Sequence, residues 1–138
     1  MKKVLILCTG NSCRSQMAEG WLRYFLPGTK VYSAGTKPEK VNKYAVHVMK
    51  ESGINISANT SNHVNEYIST KIDFLITVCD NAKEKCPYFP RVTKRYHNSF
   101  DDPANAQGTD AEKLLVYRKV SAQIKDYMRH FCDNQINK

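Results

Sequence analysis

Near its N-terminus the chain reads Cys8-Thr9-Gly10-Asn11-Ser12-Cys13-Arg14-Ser15. An apolar run at residues 3–7 precedes this segment, and apolar positions with helical spacing follow it from Met17 to Phe25. This order predicts a buried strand, a short loop and a helix. In such a loop successive backbone N–H groups can point inward, beside the positive end of the helix, and bind an anion. Gly10 turns without a Cβ clash, and Asn11 tolerates the left-handed conformation that such an arrangement often needs.

The side chains of this loop predict nucleophilic chemistry on a tetrahedral oxyanion. Arg14 carries a planar fork that binds two oxygens at once. The positive field of the loop favours the thiolate of Cys8, because cations and helix N-termini lower the pKa of a thiol from about 8.5. Ser15 either donates a hydrogen bond to that sulfur or caps the helix. The alternative is a buried cysteine beside a solvated arginine. We predict that Cys8 attacks the oxyanion and that the residues holding it are Thr9, Gly10, Asn11, Ser12, Cys13, Arg14 and Ser15.

The rest of the chain alternates between strand-like and helix-like patterns. Strands are predicted at residues 31–34, 73–78 and 92–96, and further helices between Asn42 and Ser52 and at 111–131, where Thr109 and Glu112 match a capping box. This alternation predicts an α/β fold with a doubly wound, four-stranded parallel sheet flanked by helices, in a single catalytic domain of residues 1–138. Ligands of such sheets bind beyond the carboxyl ends of the strands. Cys8 and Cys79 each lie at such an end, so one site can hold both.

Composition limits the class of protein. The 138 residues include 41% hydrophobic residues and five cysteines, and the formal net charge is +8. A chain of this size buries a core without a disulfide framework, and an odd cysteine count with no export signal predicts a cytoplasmic protein. No apolar run approaches the length of a membrane span. Because the basic residues are dispersed, the charge favours a small anionic substrate. We expect a monomer with no nucleic-acid or membrane partner.

A second loop, Phe100-Asp101-Asp102-Pro103, precedes the last helix. Displacing hydroxide or alkoxide from a tetrahedral centre needs a proton donor. An aspartate before proline is restricted to extended conformations and is therefore held in place. The alternative is a simple Asx turn, in which Asp-Pro is common. Because the chain already contains a nucleophile loop, we predict that Asp102 is the general acid.

Cys79 and Cys86 are the next informative pair. Their seven-residue spacing is not that of a zinc site, and the four histidines lack metal-ligand spacing. If the residues between the two cysteines are helical, the sulfurs lie too far apart to bond, and a disulfide forms only when that helix loosens. The residues alone indicate either such a redox switch or two unrelated cysteines. We interpret Cys13 and Cys132 as structural, with Cys132 near a frayed C-terminus.

Together these motifs resemble the thioredoxin-coupled arsenate reductases, which share the fold of the low-molecular-weight protein tyrosine phosphatases. The resemblance covers nearly the whole chain, from about residue 3 to residue 131. Residues 16–20 favour the reductases, because the phosphatases usually have proline after the serine, and the Cys79–Cys86 pair is what the reductases add. The segments that carry the resemblance are residues 8–20, Val31-Tyr32-Ser33-Ala34-Gly35, Cys79 with Cys86-Pro87, and Phe100-Asp101-Asp102-Pro103-Ala104.

The resemblance implies a disulfide relay. Cys8 attacks arsenate, which Arg14 and the loop amides hold, and Asp102 protonates the departing hydroxide. Cys79 then attacks Cys8 and releases arsenite, and Cys86 converts the Cys8–Cys79 disulfide into a Cys79–Cys86 disulfide on a loosened segment. Thioredoxin reduces that bond, with glutaredoxin and glutathione as the alternative donor. The resemblance implies no organic cofactor and no catalytic metal.

The resemblance also implies a potassium site beside the loop. Its ligands would be Asn11, Glu19, Ser33 and the residue at position 62. Family members have aspartate there, whereas this chain has Asn62. An amide oxygen still coordinates a hard cation, but the site loses a negative charge. The substitution therefore weakens the expectation that potassium binds.

Two other functions stay open from the sequence. A low-molecular-weight protein tyrosine phosphatase would use the same Cys8, Arg14 and Asp102, and water would hydrolyse its phosphocysteine. Such phosphatases usually carry tyrosines beside the acid loop, whereas residues 104–106 are Ala-Asn-Ala here. A non-catalytic redox or anion sensor would signal through Cys79 and Cys86 and would need no acid. The reductase is therefore the favoured interpretation, with weak phosphatase activity as a side reaction.

Overall fold

The strands of the protein form one parallel sheet in the computed structural model, which describes residues 2–80 and 86–136. The strands are β1 (Lys3–Cys8), β2 (Lys30–Gly35), β3 (Ile72–Thr77) and β4 (Val92–His97). Their order across the sheet is β2-β1-β3-β4. The α-helices of the described residues are α1 (Arg14–Phe25), α2 (Lys43–Glu51) and α3 (Asp110–Phe131). The predicted four-stranded parallel sheet with flanking helices is confirmed.

Strand burial follows the position of each strand in the sheet. Strand β1 lies between β2 and β3, and its apolar residues 4–7 are fully buried, as a continuous apolar run in a parallel sheet predicts. Strand β4 is an edge strand, and its central residues 93–95 are exposed. Their sequence, Thr-Lys-Arg, suits an edge because charged side chains oppose pairing with another chain.

Two helices begin where the sequence predicts. Asn42 accepts hydrogen bonds from the first backbone N–H groups of α2, and Thr109 and Glu112 form the capping box of α3. Helix α1 begins at Arg14, earlier than its first apolar position, because the polar side chains of its first turn are buried and hydrogen-bonded inside the protein. None of the described helices combines the length and the apolar character needed to cross a membrane.

The described chain continues in helical form past Cys132, and the frayed end expected near this residue stays a prediction, because residues 137 and 138 lie outside the described residues. A π-helical turn, Cys132–Ile136, continues α3. The Tyr96 hydroxyl donates to Oε1 of Gln135 at 2.8 Å and ties this turn to β4. Cys132 itself is buried, and burial raises its pKa to about 11. A buried, protonated thiol agrees with a structural role.

The carboxyl ends of the strands gather the predicted functional residues at one edge of the sheet. Strand β1 ends at Cys8, and Cys79 follows two residues after the end of β3. The backbone N–H of Phe100 donates to the carbonyl of Val78 at 3.1 Å, which holds the loop after β4 against β3. This loop leads into Asp102, so the fold brings the nucleophile loop, the second thiol and the aspartate loop to one edge.

Candidate active site

Backbone carbonyls of the Cys8–Arg14 loop point away from its centre, towards neighbouring residues that donate to them. The carbonyls of Thr9, Gly10 and Ser12 accept hydrogen bonds from the backbone N–H groups of residues 37, 39 and 42, at 2.9, 2.7 and 2.8 Å. Because a planar peptide points its carbonyl and its N–H in opposite directions, outward carbonyls leave the N–H groups facing the centre of the loop. Inward N–H groups are the arrangement that binds an anion.

Asn11 holds the tightest turn of the loop. Its φ is 48°, the left-handed conformation that the sequence predicts, and its side chain is fully buried. The side-chain Nδ2 donates to the hydroxyls of Ser15 and Ser33 at 2.9 and 2.8 Å, and Oδ1 accepts from the backbone N–H of Asn62 at 2.8 Å. Ser15 thus serves the shape of the loop through Asn11.

Arg14 joins this loop to the aspartate loop. One terminal nitrogen donates to the carbonyl of Phe100 at 3.0 Å, and the other lies 3.4 Å from Oδ2 of Asp102. Its Nε is buried and, in the described part of the chain, has no hydrogen-bond partner. A buried donor without an acceptor is costly, so this N–H group is suited to donate a hydrogen bond to an anionic oxygen.

Asp102 is oriented by the turn in which it lies. Its Oδ1 accepts from the backbone N–H of Ala104 at 3.0 Å and caps a 3₁₀ turn, Pro103–Asn105, whose proline is buried. The Asx turn considered from the sequence is therefore present, and it leaves Oδ2 directed at Arg14. Asp101 is exposed, which distinguishes the two adjacent aspartates.

Cys8 and Cys79 lie against each other at the base of the site. Both are 3% exposed, and the Thr9 hydroxyl lies 3.4 Å from Sγ of Cys79. The hydrogen bond with Cys79 and burial raise the pKa of Cys8, while Arg14 and the Thr9 backbone lower it. The expectation of a lowered pKa at Cys8 is therefore not met in this arrangement, because the hydrogen bond with a second buried thiol and burial outweigh the charge of Arg14.

The loop, the second thiol and the aspartate loop all lie within a match to a known protein family. The sequence matches the family model for the low molecular weight phosphotyrosine protein phosphatases over residues 3–138. The chain belongs to the low molecular weight phosphotyrosine protein phosphatase family.

Within this family the chain is similar to proteins named arsenate reductase. The arsenate reductase of Bacillus subtilis (strain 168) is 46% identical over 133 residues, which are 96% of each chain. A solved structure of an arsenate reductase in the phosphate binding state has a TM-score of 0.82 at 31% identity, covering 96% of this chain and 98% of that one. Vibrio vulnificus Wzb in complex with benzylphosphonate has a TM-score of 0.81 at 18% identity, covering 96% and 97%. That last likeness shows the fold alone.

Cys86 packs against the hydrophobic core of the protein. It is half-buried, and its thiol donates to the carbonyl of Pro87 at 3.4 Å. Burial raises its pKa, and the neighbouring Arg95 guanidinium opposes that rise. The helix expected between Cys79 and Cys86 falls on residues 81–85, which lie outside the described residues. Cys13, inside the loop, is buried with its pKa raised by burial to about 12, in agreement with a structural role.

The oxygens of the four residues considered for potassium already accept or donate hydrogen bonds within the protein, and potassium binding there stays a prediction. Glu19 already accepts from Ser33 at 2.8 Å and from Asn59 at 2.9 Å, and Arg23 lies 3.4 Å from the same carboxylate. Asn11 directs its side-chain oxygen to the backbone of Asn62, whose own Oδ1 accepts from Thr60. Protein donors thus engage the oxygens that potassium would need. No group of three or more His, Cys, Asp or Glu with metal-binding geometry occurs in residues 2–80 and 86–136.

Several residues that shape the site were missed from the sequence. Residues 37–42 supply the outer hydrogen bonds of the loop, yet they carry no periodic pattern. Thr9 was predicted as part of the loop, but the contact of its side chain with Cys79 was not, because the two residues are 70 positions apart. Gln16 and Ser61 contact the backbone of Asn11. A buried glutamine in the first helical turn was the one available signal, because an uncharged polar side chain on a core helix needs partners.

Proposed function

We propose that this protein reduces arsenate to arsenite, with Cys8 as the nucleophile and Cys79 and Cys86 as the thiols that supply the electrons. The observation that carries the proposal is the contact between two buried thiols, that of Cys8 in a loop built for an oxyanion and that of Cys79 after β3. A phosphatase needs only one of them. The similarity to proteins named arsenate reductase at 46% identity supports the same choice.

The first step forms a sulfur–arsenic bond. The thiolate of Cys8 attacks arsenate, and hydroxide leaves as water after taking a proton from Asp102. Arg14 and the inward N–H groups stabilise the negative oxygens, with the unpartnered Nε of Arg14 as an added donor. The Cys8 thiol first gives its proton to an oxygen of the bound arsenate, and Arg14 stabilises the thiolate and the oxyanion that result.

The second step moves two electrons onto arsenic. The thiolate of Cys79 attacks the sulfur of Cys8, the sulfur–arsenic bond breaks, and its electron pair leaves with arsenite. A Cys8–Cys79 disulfide remains. Cys86 then attacks Cys79, which returns Cys8 as a thiolate and forms a Cys79–Cys86 disulfide. An external dithiol, thioredoxin in this proposal and glutaredoxin with glutathione as the alternative, restores both thiols.

Phosphatase activity is the second candidate function, because Cys8, Arg14 and Asp102 are also the groups that phosphate-ester hydrolysis requires. The match to the phosphotyrosine phosphatase family model supports it as a side activity. Water would attack the phosphocysteine in place of Cys79. The two functions therefore differ in their need for the second thiol.

One experiment separates them. Arsenate-dependent NADPH oxidation is measured with thioredoxin and thioredoxin reductase, beside p-nitrophenyl phosphate hydrolysis, for the native protein and for Cys79→Ser. We expect the variant to lose arsenate reduction and keep its phosphatase rate. Cys132→Ala is the control, because Cys132 is buried near the C-terminal end of the described chain. Parallel loss of both activities in Cys79→Ser would assign Cys79 a structural role. A native protein without arsenate-dependent turnover, with thioredoxin and also with glutaredoxin and glutathione, would refute the proposal.

A further inference from the structure

The Cys8–Arg14 loop, here called the oxyanion loop, is held from outside by two kinds of hydrogen bond. Three backbone carbonyls, those of residues 9, 10 and 12, accept hydrogen bonds from backbone N–H groups within residues 37–42. The carbonyl of Asn11 accepts from two side chains, Nε2 of Gln16 at 2.9 Å and Oγ of Ser61 at 2.8 Å. Backbone donors survive any substitution except proline, whereas side-chain donors depend on the residue type. Asn11 is therefore the point at which residue identity controls the loop backbone.

The carbonyl of Asn11 sets the direction of the next amide. In a planar trans peptide the N–H of Ser12 points opposite to that carbonyl. An Asn11 carbonyl held outward therefore aims the Ser12 N–H at the bound oxyanion. Asn11 has a φ of 48°, a conformation that a non-glycine residue keeps only when its surroundings impose it. Without the two donors, rotation of this peptide would withdraw one donor from the anion.

Gln16 is suited to impose this orientation because every polar atom of its side chain is engaged. Its Nε2 donates to the carbonyl of Thr60 at 3.0 Å as well as to Asn11, and its Oε1 accepts from Nδ2 of Asn59 at 3.0 Å. The side chain is fully buried. It thus ties the first turn of α1 to residues 59–61, the segment that also carries Ser61.

We propose that Gln16 and Ser61 are positioning residues that hold the Asn11 carbonyl outward and thereby set the affinity of the loop for a tetrahedral oxyanion. Neither residue touches the substrate. Both proposed activities use this loop, so the inference deepens the proposed function, but oxyanion binding itself does not require arsenate reduction. The two can therefore be tested separately.

The test measures how well inorganic phosphate protects Cys8 from iodoacetamide, followed by mass spectrometry of the Cys8 peptide. Gln16→Met and Ser61→Ala should each raise the phosphate concentration for half-protection roughly threefold, because each variant removes one hydrogen bond to the Asn11 carbonyl. Because either donor alone keeps the carbonyl outward, the double variant should lose more than the product of the single losses. The arsenate KM should rise more than kcat falls, since Cys8, Arg14 and Asp102 keep their positions.

Two matched variants separate positioning from general packing. Ser61→Thr keeps the hydroxyl and should retain protection. Ser57→Ala removes a nearby exposed hydroxyl, which donates to Asn55, and this variant should behave as the native protein. If the double variant does not fold, Ser61→Ala against Ser61→Thr decides. Equal protection in those two variants, or a double variant with native protection, would overturn the inference. A native protein that phosphate protects but that does not reduce arsenate would refute only the proposed function.

Discussion

A guanidinium nitrogen of Arg14 lies 3.4 Å from Oδ2 of Asp102, so the cation of the oxyanion loop and the carboxylate of the second loop meet across the site. The side chain of Arg14 is 13% exposed and that of Asp102 is 33% exposed. The less exposed cation fixes the position of the more exposed acid. An oxyanion bound to Arg14 therefore lies within reach of the group that would protonate its leaving oxygen.

The first prediction concerns that acid. Asp102→Asn should slow arsenate reduction roughly 10²- to 10⁴-fold, because an amide cannot supply the proton. Asp101→Asn is the matched control, since Asp101 is the exposed neighbour, and it should stay near the native rate. Steady-state kinetics with saturating arsenate measure both variants. Equal losses in the two variants would mean that the loop, and not the Asp102 carboxyl, is what matters.

The second prediction concerns the pKa of Cys8. The hydrogen bond with Cys79 is the largest cause that raises it. Cys79→Ala removes that cause, so the pKa of Cys8 should fall and the thiolate should persist at lower pH. The rate of Cys8 alkylation by iodoacetamide is measured between about pH 5 and pH 10. The midpoint of its rise with pH should lie at lower pH in the variant than in the native protein. An unchanged midpoint would show that Cys79 does not set the pKa of Cys8.

The third prediction concerns the resolving thiol. Cys86→Ser should permit one turnover of arsenate and then stop with a Cys8–Cys79 disulfide, because no second thiol remains to free Cys8. Peptide mapping after a single turnover identifies the bond, and the arsenite released should equal the protein present. A disulfide that includes Cys13 or Cys132, or repeated turnover with thioredoxin, would remove Cys86 from the relay.

The fourth prediction concerns Gly35, where β2 ends against the oxyanion loop. A Cβ at this position would lie 2.4 Å from the carbonyl oxygen of Thr9 and 2.9 Å from the backbone nitrogen of Asn11. Gly35→Ala should therefore displace the loop and lower both the thermal midpoint and the activity. Gly28→Ala is the control, because a Cβ there meets nothing within 4 Å. Native activity in Gly35→Ala would mean that the loop shifts without cost to its function.

The parts of the fold that sequence predicted are those with local signals. The apolar run of β1, the loop with its Asn11 turn and the capping box at Thr109 each depend on neighbouring residues, and the structure contains all three. The four strands also lie where apolar or β-branched runs indicate them, although β4 carries a polar centre because it is an edge.

The parts that sequence did not predict depend on contacts between distant residues. The pKa of Cys8 is raised by a thiol 71 positions away, so the loop alone gave the opposite direction. Arg23 lies 3.4 Å from Glu19 because α1 presents both on one face, so this arginine competes for the carboxylate that a potassium site would use. Residues 37–42 bond to the loop through their backbone, which leaves no trace in residue type.

The outward carbonyls of residues 9–12 also have a consequence for the choice of anion. A loop whose peptides are all tied from outside is ordered during folding, so little entropy is lost when an anion enters. Such a rigid oxyanion loop selects anions by their shape, and planar anions such as nitrate match it poorly. Arsenate and phosphate share one shape and one charge, so the loop cannot tell them apart well. Under the proposed function, discrimination would fall to the step after capture, in which the Cys79 thiolate attacks Cys8 and the electron pair of the sulfur–arsenic bond passes to arsenic, a transfer that phosphorus would not undergo.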